Sequence, residues 1–149
     1  MRSLLVILVG LPGSGKSTYA RKVCNELPNH VVYEADMYFQ DGEKYNFDPT
    51  KLGEAHFWCI HQVEQALIDG KVVYVANTNL STWERAKYIE LAKSVGDVDI
   101  QIYVCTKNFG NIHNVPEEKI AMMKERYEAP SAKEFEDFEG KWLIGKLEY

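Results

Sequence analysis

The stretch from Val9 to Ala20, VGLPGSGKSTYA, constrains the fold of this chain more than any other feature. It contains the pattern G-x-x-x-x-G-K-[ST] in full, from Gly10 to Ser17. The continuous apolar run at 4–9 (LLVILV) precedes it and is typical of a strand buried on both faces of a parallel sheet. A helix predicted from Lys16 to about Leu27 follows it. A glycine-rich loop between a buried strand and a helix predicts a site for the phosphates of a nucleotide.

The composition of this loop explains how it would hold phosphate. Glycines allow backbone N–H groups to turn inward around the β-phosphate, and the helix N-terminus adds its partial positive charge. Lys16 is expected to reach the β- and γ-phosphates, and the hydroxyl of Ser17 to bind Mg²⁺. The nucleotide is predicted to be ATP or GTP. The predicted nucleotide-binding residues are Gly10, Leu11, Pro12, Gly13, Ser14, Gly15, Lys16, Ser17 and Thr18.

Strands alternate with helices along most of the chain. Further strands are predicted at 31–35, 71–77 and 98–104, and further helices at about 50–69, 82–95 and 116–128. Together with the phosphate-loop motif, this alternation predicts an α/β protein with the three-layer P-loop NTPase fold, in which helices cover both faces of a parallel sheet of four to five strands. We expect a domain over 1–130, in which 105–116 form a polar loop. Residues 131–149 are expected to pack on that domain or extend it.

Composition limits the class of protein further. The 149 residues fit one domain, and no apolar run approaches the roughly 18 residues that cross a membrane. The three cysteines share no metal-ligand spacing and are interpreted as reduced thiols of a cytoplasmic protein. The net charge of −5 disfavours broad nucleic-acid binding but is compatible with a small basic site for one strand end. The oligomeric state stays open.

A candidate catalytic acid or base lies twenty residues beyond Lys16. Asp36 ends the predicted second strand, and the carboxyl ends of parallel strands meet at the edge that carries the phosphate loop. Its carboxylate is predicted to take a proton from an attacking hydroxyl or to help hold Mg²⁺; the alternative is a cap on a turn.

The third predicted strand ends in neutral residues. Many phosphate-loop NTPases carry an Asp at this place, but here it is occupied by Ala76 and Asn77, which disfavours a hydrolytic enzyme. Asn77, Thr78 and Asn79 are candidates for orienting Asp36 or the acceptor, or alternatively for forming a turn and helix cap.

Several segments together resemble a known family. The loop, ADMYF, YNFDP, LGEAHFWC, VANTNLSTWE and NIHNVPEEKIAMMKERYE are similar to the P-loop kinase family of phage polynucleotide 5′-kinase. The resemblance is closer to small phage ATP-binding proteins of AAA type and to the kinase-like module of eukaryotic Nedd-binding proteins. It covers about residues 1–130. It implies that Asp36 is the general base, and that Lys16 and Ser17 serve the γ-phosphate and Mg²⁺.

The chain departs from this family at several positions. Phe39 stands where such kinases carry an arginine that grips the neighbouring substrate phosphate, and the Asp of the third strand is Asn77. The resemblance implies a lid at 105–116, which is shortened here, and Lys107 and His113 are its cationic candidates. Arg126 is predicted to supply the missing phosphate contact, the alternative being a solvated helix face.

Other substrate-binding candidates lie in the second loop and the following helix. Tyr38 and Phe39 belong to an aromatic group that could stack on a base or close the core. His56 lies on the apolar stripe of its helix and is either a core residue or a site residue.

These features predict a Mg²⁺-dependent kinase that transfers the γ-phosphate to a hydroxyl of DNA or RNA, either a 5′-hydroxyl or a hydroxymethyl base. One alternative is a kinase of a small metabolite or nucleoside. The other is an ATP-binding module without phosphotransfer.

Overall fold

A parallel sheet forms the centre of the molecule. The computed structural model describes residues 2–106 and 115–147. Within these ranges, seven strands are β1 (Ser3–Val9), β2 (His30–Tyr33), β3 (Gln40–Asp41), β4 (Lys44–Tyr45), β5 (Val72–Val75), β6 (Val98–Cys105) and β7 (Trp142–Leu147). Five of them form the sheet in the order β2-β5-β1-β6-β7, with every neighbouring pair parallel. The predicted fold class is thereby confirmed.

Helices cover both faces of the sheet. They are α1 (Lys16–Glu26), α2 (Leu52–Ile68), α3 (Thr82–Val95) and α4 (Glu117–Arg126), with short 3-10 helices at Ala35–Phe39, Pro49–Lys51 and Ala132–Phe135. Val6 and Leu8 of β1 pack on the side of α1, whereas Leu5, Ile7 and Val9 pack on the side of α2 and α3. Alternate residues of a strand face opposite sides, so a central strand covered on both faces must be apolar throughout.

The second strand is shorter than predicted. β2 ends at Tyr33, and the chain turns at Ala35 into a 3-10 helix that contains Asp36. The following segment, expected to be a loop, contains the antiparallel hairpin of β3 and β4. Gly42 turns this hairpin with a φ of 61°, a value that glycine adopts without strain.

The C-terminal segment supplies the fifth strand, which pattern reasoning left without a structure. β7 pairs with β6 from Ile100↔Trp142 to Cys105↔Leu147. Buried side chains also join this segment to the domain. Phe135 is 3% exposed and belongs to the core, and Arg85 on α3 is 0% exposed and binds both carboxylate oxygens of Glu134, at 2.8 and 3.2 Å. Its remaining N–H groups donate to the carbonyls of Asn79, Leu80 and Glu128. The buried guanidinium is therefore fully paired.

Candidate active site

The predicted phosphate loop lies between the end of β1 and the start of α1. Gly13 and Gly15 have φ values of 83° and 92°, a region that L side chains rarely adopt. Gly10 is favoured for a different reason: a Cβ built there would collide with Ser14 Oγ and lie 3.1 Å from the Cys105 carbonyl oxygen. Local geometry thus favours glycine at each of the three positions.

Lys16 is buried within the loop. Its Nζ donates to the carbonyl oxygens of Gly10 at 2.7 Å and Leu11 at 2.9 Å, and lies 3.5 Å from Ser14 Oγ. Burial lowers the pKa of the Lys16 ammonium to about 8, an effect opposed by Cys105 and Glu34. The ammonium is held by neutral acceptors here, so an incoming phosphate would offer it a stronger, charged partner.

Ser17 makes a contact that pattern reasoning missed. Its hydroxyl donates a hydrogen bond of 2.6 Å to Glu34 Oε2, while Glu34 Oε1 lies 3.5 Å from a guanidinium nitrogen of Arg21. The acid that contacts Ser17 in the structure is Glu34, and the contact expected between Asp36 and a metal beside Ser17 stays a prediction. Glu34 has extended backbone and continues the alternation of β2, whereas the chain has already turned at Asp36. The sequence signal that could have identified Glu34 is its position directly after the apolar residues of β2.

Asp36 lies exposed on the 3-10 helix Ala35–Phe39. Its Oδ1 accepts a hydrogen bond from the hydroxyl of Tyr45 on the hairpin. Burial, followed by this bond to Asp36, raises the pKa of Tyr45 to about 12, so the phenol stays protonated and acts as a donor at neutral pH. The carboxylate is both accessible and held in place, as a general base requires.

Asn77 tethers the helix that carries Asp36. Its Oδ1 accepts from the backbone N–H of Ala35 at 2.7 Å, and its Nδ2 donates to the Tyr88 hydroxyl at 3.2 Å. Thr78 is half-buried, and its carbonyl accepts from the backbone N–H of Gly10 at 3.0 Å. The end of β5 thus holds both the phosphate loop and the helix of the candidate base.

Asn79 has a structural role instead of the substrate contact considered for it. It is 2% exposed, and its Nδ2 donates to the carbonyls of Leu8, Val75 and Asn77. These bonds satisfy the carboxyl ends of two adjacent strands, which leaves the amide no free donor for a ligand.

The aromatic candidates lie between the hairpin and α2. Phe39 is buried, with its ring packed edge-on against Tyr38 and Phe47, and Tyr38 donates from its hydroxyl to Glu54. Both residues also line a cavity of about 540 Å³ beside the hairpin. Phe39 is therefore a core residue at the wall of a candidate substrate pocket.

His56 does not lie in the core, although its spacing placed it on the apolar stripe of α2. Its side chain is exposed, near the start of α2. Partial desolvation, and secondly the nearby charge of Lys87, lower the pKa of His56. The substrate contact considered for His56 stays a prediction.

Arg126 closes α4 on the side of α3. Its guanidinium is half exposed and lies 3.6 Å from a carboxylate oxygen of Glu84. The structure therefore supplies a protein partner for Arg126, and its expected contact with a phosphate stays a prediction. Lys107 and His113 of the predicted lid lie outside the described residues.

The loop and its surroundings fit a nucleotide and a magnesium ion. Leu11, Pro12 and Thr18 complete the loop and the first turn of α1, with Thr18 exposed. Across the described ranges, no group of three or more His, Cys, Asp and Glu side chains is placed to form a metal cage. Mg²⁺ commonly binds through one or two protein oxygens together with phosphate oxygens and water. Ser17, with Glu34 behind it, offers such an oxygen.

The described helices include none that is both long and apolar enough to span a membrane. This finding covers residues 2–106 and 115–147.

The fold and loop define a P-loop protein of the kinase type. A family model described as an AAA domain matches residues 5–130, and the chain belongs to this family. The predicted resemblance to polynucleotide kinase-like P-loop proteins is confirmed.

Two curated relatives and one solved structure illustrate the resemblance. NEDD4-binding protein 2 of Homo sapiens is 36% identical over 135 residues, covering 84% of this chain and 8% of that protein. The putative bifunctional polynucleotide phosphatase/kinase of Acanthamoeba polyphaga mimivirus is 33% identical over 89 residues, covering 60% of this chain and 17% of that protein. The structure of the Pnkp1/Rnl/Hen1 complex superposes with a TM-score of 0.57 and 25% identity, covering 94% of this chain and 44% of that one. The chain thus spans less than a fifth of the length of these curated relatives.

Proposed function

We propose that this chain is an ATP- and Mg²⁺-dependent kinase that transfers the γ-phosphate to a hydroxyl of a nucleic acid. The exposed carboxylate of Asp36 carries the proposal. It lies on the short helix after β2, at the edge of the sheet that bears the phosphate loop, and both Tyr45 and Asn77 restrain it. A polynucleotide kinase name among the relatives supports the nucleic-acid acceptor.

The proposed reaction follows from the roles of these side chains. Asp36 accepts the proton of the acceptor hydroxyl, whose oxygen forms a bond to the γ-phosphorus while the bond to the bridging oxygen breaks and ADP leaves. Lys16 and the loop amides stabilise the charge that develops on the phosphoryl oxygens. Ser17, with Glu34 behind it, would hold the magnesium ion that enters with the nucleotide, and the ion would supply further positive charge at these oxygens. Thr78 and Asn77 hold the phosphate loop and the helix of Asp36 at fixed positions relative to each other.

The surroundings of Asp36 favour an acceptor that presents a base near the reacting hydroxyl. Tyr45 and Phe47 are both about half exposed, and their rings stack with an interplanar angle of 12°. The cavity beside them is lined by two carboxylates, Asp41 and Asp48, and by one lysine. An aromatic surface attracts a base, while excess negative charge disfavours several adjacent phosphates. We therefore favour a hydroxymethyl group on a base over a phosphate-rich 5′ end as the acceptor.

Transfer of label from [γ-³²P]ATP tests the proposal. The acceptors are a 5′-hydroxyl oligonucleotide, DNA with hydroxymethylated bases, nucleosides and simple sugars. We expect label on a nucleic acid, and a rate that falls by about 100-fold or more in Asp36→Asn, since general base catalysis typically contributes a factor of this size.

Asp69→Asn is the matched control, because Asp69 is an exposed acid at the opposite end of α2. Label found only on nucleosides or sugars would replace the nucleic-acid acceptor with a small one. ATP binding without label on any acceptor would contradict kinase activity altogether.

A further inference from the structure

The end of β5 carries no acid at the phosphate site. Ala76 is buried in the core on the α1 side of the sheet, and the amide of Asn77 is already bonded to Ala35 and Tyr88. Neither residue can supply a carboxylate to the metal bound with the nucleotide. A carboxylate close to that metal would therefore have to come from another strand.

Position 34 is the register neighbour of position 76. β2 and β5 pair in parallel up to Tyr33↔Val75, and the backbone N–H of Ala76 continues the ladder by donating to the Tyr33 carbonyl at 3.0 Å. Residues paired across parallel strands present their side chains to the same face. Glu34 thus faces the α1 side, as Ala76 does, but from the adjacent strand.

Two side chains of α1 contact Glu34. The Ser17 hydroxyl donates to its Oε2 at 2.6 Å, and Arg21 lies 3.5 Å from its Oε1. The side chain of Glu34 is only 12% exposed, whereas that of Arg21 is 61% exposed. The position of Glu34 is consequently set by Ser17 and the strand, with Arg21 as an outer partner.

The direction of the Ser17 hydrogen bond matters for metal binding. A serine hydroxyl carries one proton and two lone pairs. Because its proton is directed to Glu34, its lone pairs are available to a cation on the other side. Residues behind a metal ligand orient it in this way and raise its basicity.

We propose that Glu34 supplies, from the end of β2, the acidic metal partner that β5 lacks. It acts through Ser17, as a positioning residue for the Mg²⁺ that enters with the nucleotide. This inference rests on the proposed use of a Mg²⁺–nucleotide complex, but it does not depend on phosphotransfer or on the identity of the acceptor.

The test measures the affinity of the full chain for ADP by calorimetry, with saturating Mg²⁺ and with EDTA. For Glu34→Gln we expect the affinity for ADP in EDTA to stay within about twofold, whereas the strengthening by Mg²⁺ falls by about tenfold or more, the usual cost of losing such a partner. The amide oxygen that this substitution introduces can still accept from Ser17, so the fold should survive, and a thermal melt checks this. Glu26→Gln is the matched control, an exposed acid at the far end of α1.

A merely structural role predicts a different pattern. Glu34→Gln would then lower the melting temperature, or weaken the binding of ADP equally with and without Mg²⁺. Either result, if the effect of Mg²⁺ on ADP affinity is unchanged, would overturn the proposal. Arg21→Ala removes the ion pair while leaving the acid, and we expect it to keep the strengthening by Mg²⁺.

A double-mutant cycle with Ser17→Ala separates action through Ser17 from independent action. If Glu34 acts through the hydroxyl, Glu34→Gln adds little to the loss of Mg²⁺ dependence in Ser17→Ala. Fully additive losses would overturn the positioning role. Absence of phosphotransfer would contradict the proposed function but leave this result intact, so the two failures are distinguishable.

Discussion

The hydroxyl of Tyr45 donates a hydrogen bond to the carboxylate of Asp36, and this bond joins the hairpin to the candidate base. The two residues come from separate elements, the short helix after β2 and the strand β4. Asn77 restrains the backbone of that helix at Ala35, so Tyr45 is the residue that restrains the carboxylate itself.

Removing the Tyr45 hydroxyl should therefore slow phosphotransfer without weakening nucleotide binding. For Tyr45→Phe we expect the turnover number to fall by about tenfold, because a base free to rotate spends less time aligned with the acceptor. The affinity for ATP should be unchanged. Tyr38→Phe is the control, since its hydroxyl bonds to Glu54 instead. Equal turnover in both variants would contradict a role for Tyr45 at the base.

A methyl group at Gly10 should damage the phosphate loop. The new Cβ would collide with Ser14 Oγ and lie 3.1 Å from the Cys105 carbonyl oxygen. We expect Gly10→Ala to lower the free energy of unfolding by about 1–3 kcal/mol, as for other overpacked sites, and to abolish ATP binding. Gly53→Ala is the opposite case. A Cβ built on this helical residue meets no atom within 4 Å beyond its chain neighbours and the nearby backbone of its own helix, so the change should stabilise the protein by up to about 1 kcal/mol. Urea unfolding and calorimetry measure both effects.

Arg85→Met should destabilise the whole domain. It would leave the carboxylate of Glu134 and three backbone carbonyls without their partner in a buried site. Breaking a buried pair in this way typically lowers the free energy of unfolding by about 3–5 kcal/mol, which urea unfolding measures. Arg2→Met removes a half-exposed arginine paired with Asp99, and its cost should stay below about 1 kcal/mol. A small decrease in the free energy of unfolding for Arg85→Met would show that the C-terminal segment is held mainly by the pairing of β7.

The buried ammonium of Lys16 should make stability depend on pH in the alkaline range. Its pKa in the folded protein is about 8, below the value of about 10.4 of an unperturbed lysine. Between these values the unfolded state binds more protons, so the free energy of unfolding rises with pH. The Lys16→Met variant lacks this group. We expect the free energy of unfolding of the wild type to rise by roughly 2–3 kcal/mol relative to that of Lys16→Met between pH 7 and pH 10.5. Denaturant unfolding at each pH measures the difference, and a gap independent of pH would contradict the lowered pKa.

Local sequence patterns were sufficient to predict the phosphate loop and the layered α/β fold. The loop motif, the apolar run before it and the helix after it are contiguous, so their geometry follows from neighbouring residues. The alternation of strands and helices predicts a parallel sheet for the same reason. Asp36 was identified as a candidate base because it follows an apolar strand, and its role stays a prediction.

Contacts between distant segments were not accessible to such patterns. Glu34 lies seventeen positions beyond Ser17, and Arg85 binds Glu134 across 49 positions. His56 had the spacing of a core residue, but α2 leaves it exposed. Whether an acid meets a hydroxyl depends on strand register and on where a strand ends, and no single segment contains that information.

The amino-acid sequence by itself determined the phosphate loop, since its glycines and lysine act through local backbone geometry. The tertiary structure alone decided which carboxylate stands beside Ser17. The pairing of β2 with β5 places Glu34 next to the neutral Ala76, while the turn at Ala35 directs Asp36 toward Tyr45. These placements depend on the packing of the whole sheet, because each joins side chains that the chain brings together only when it is folded.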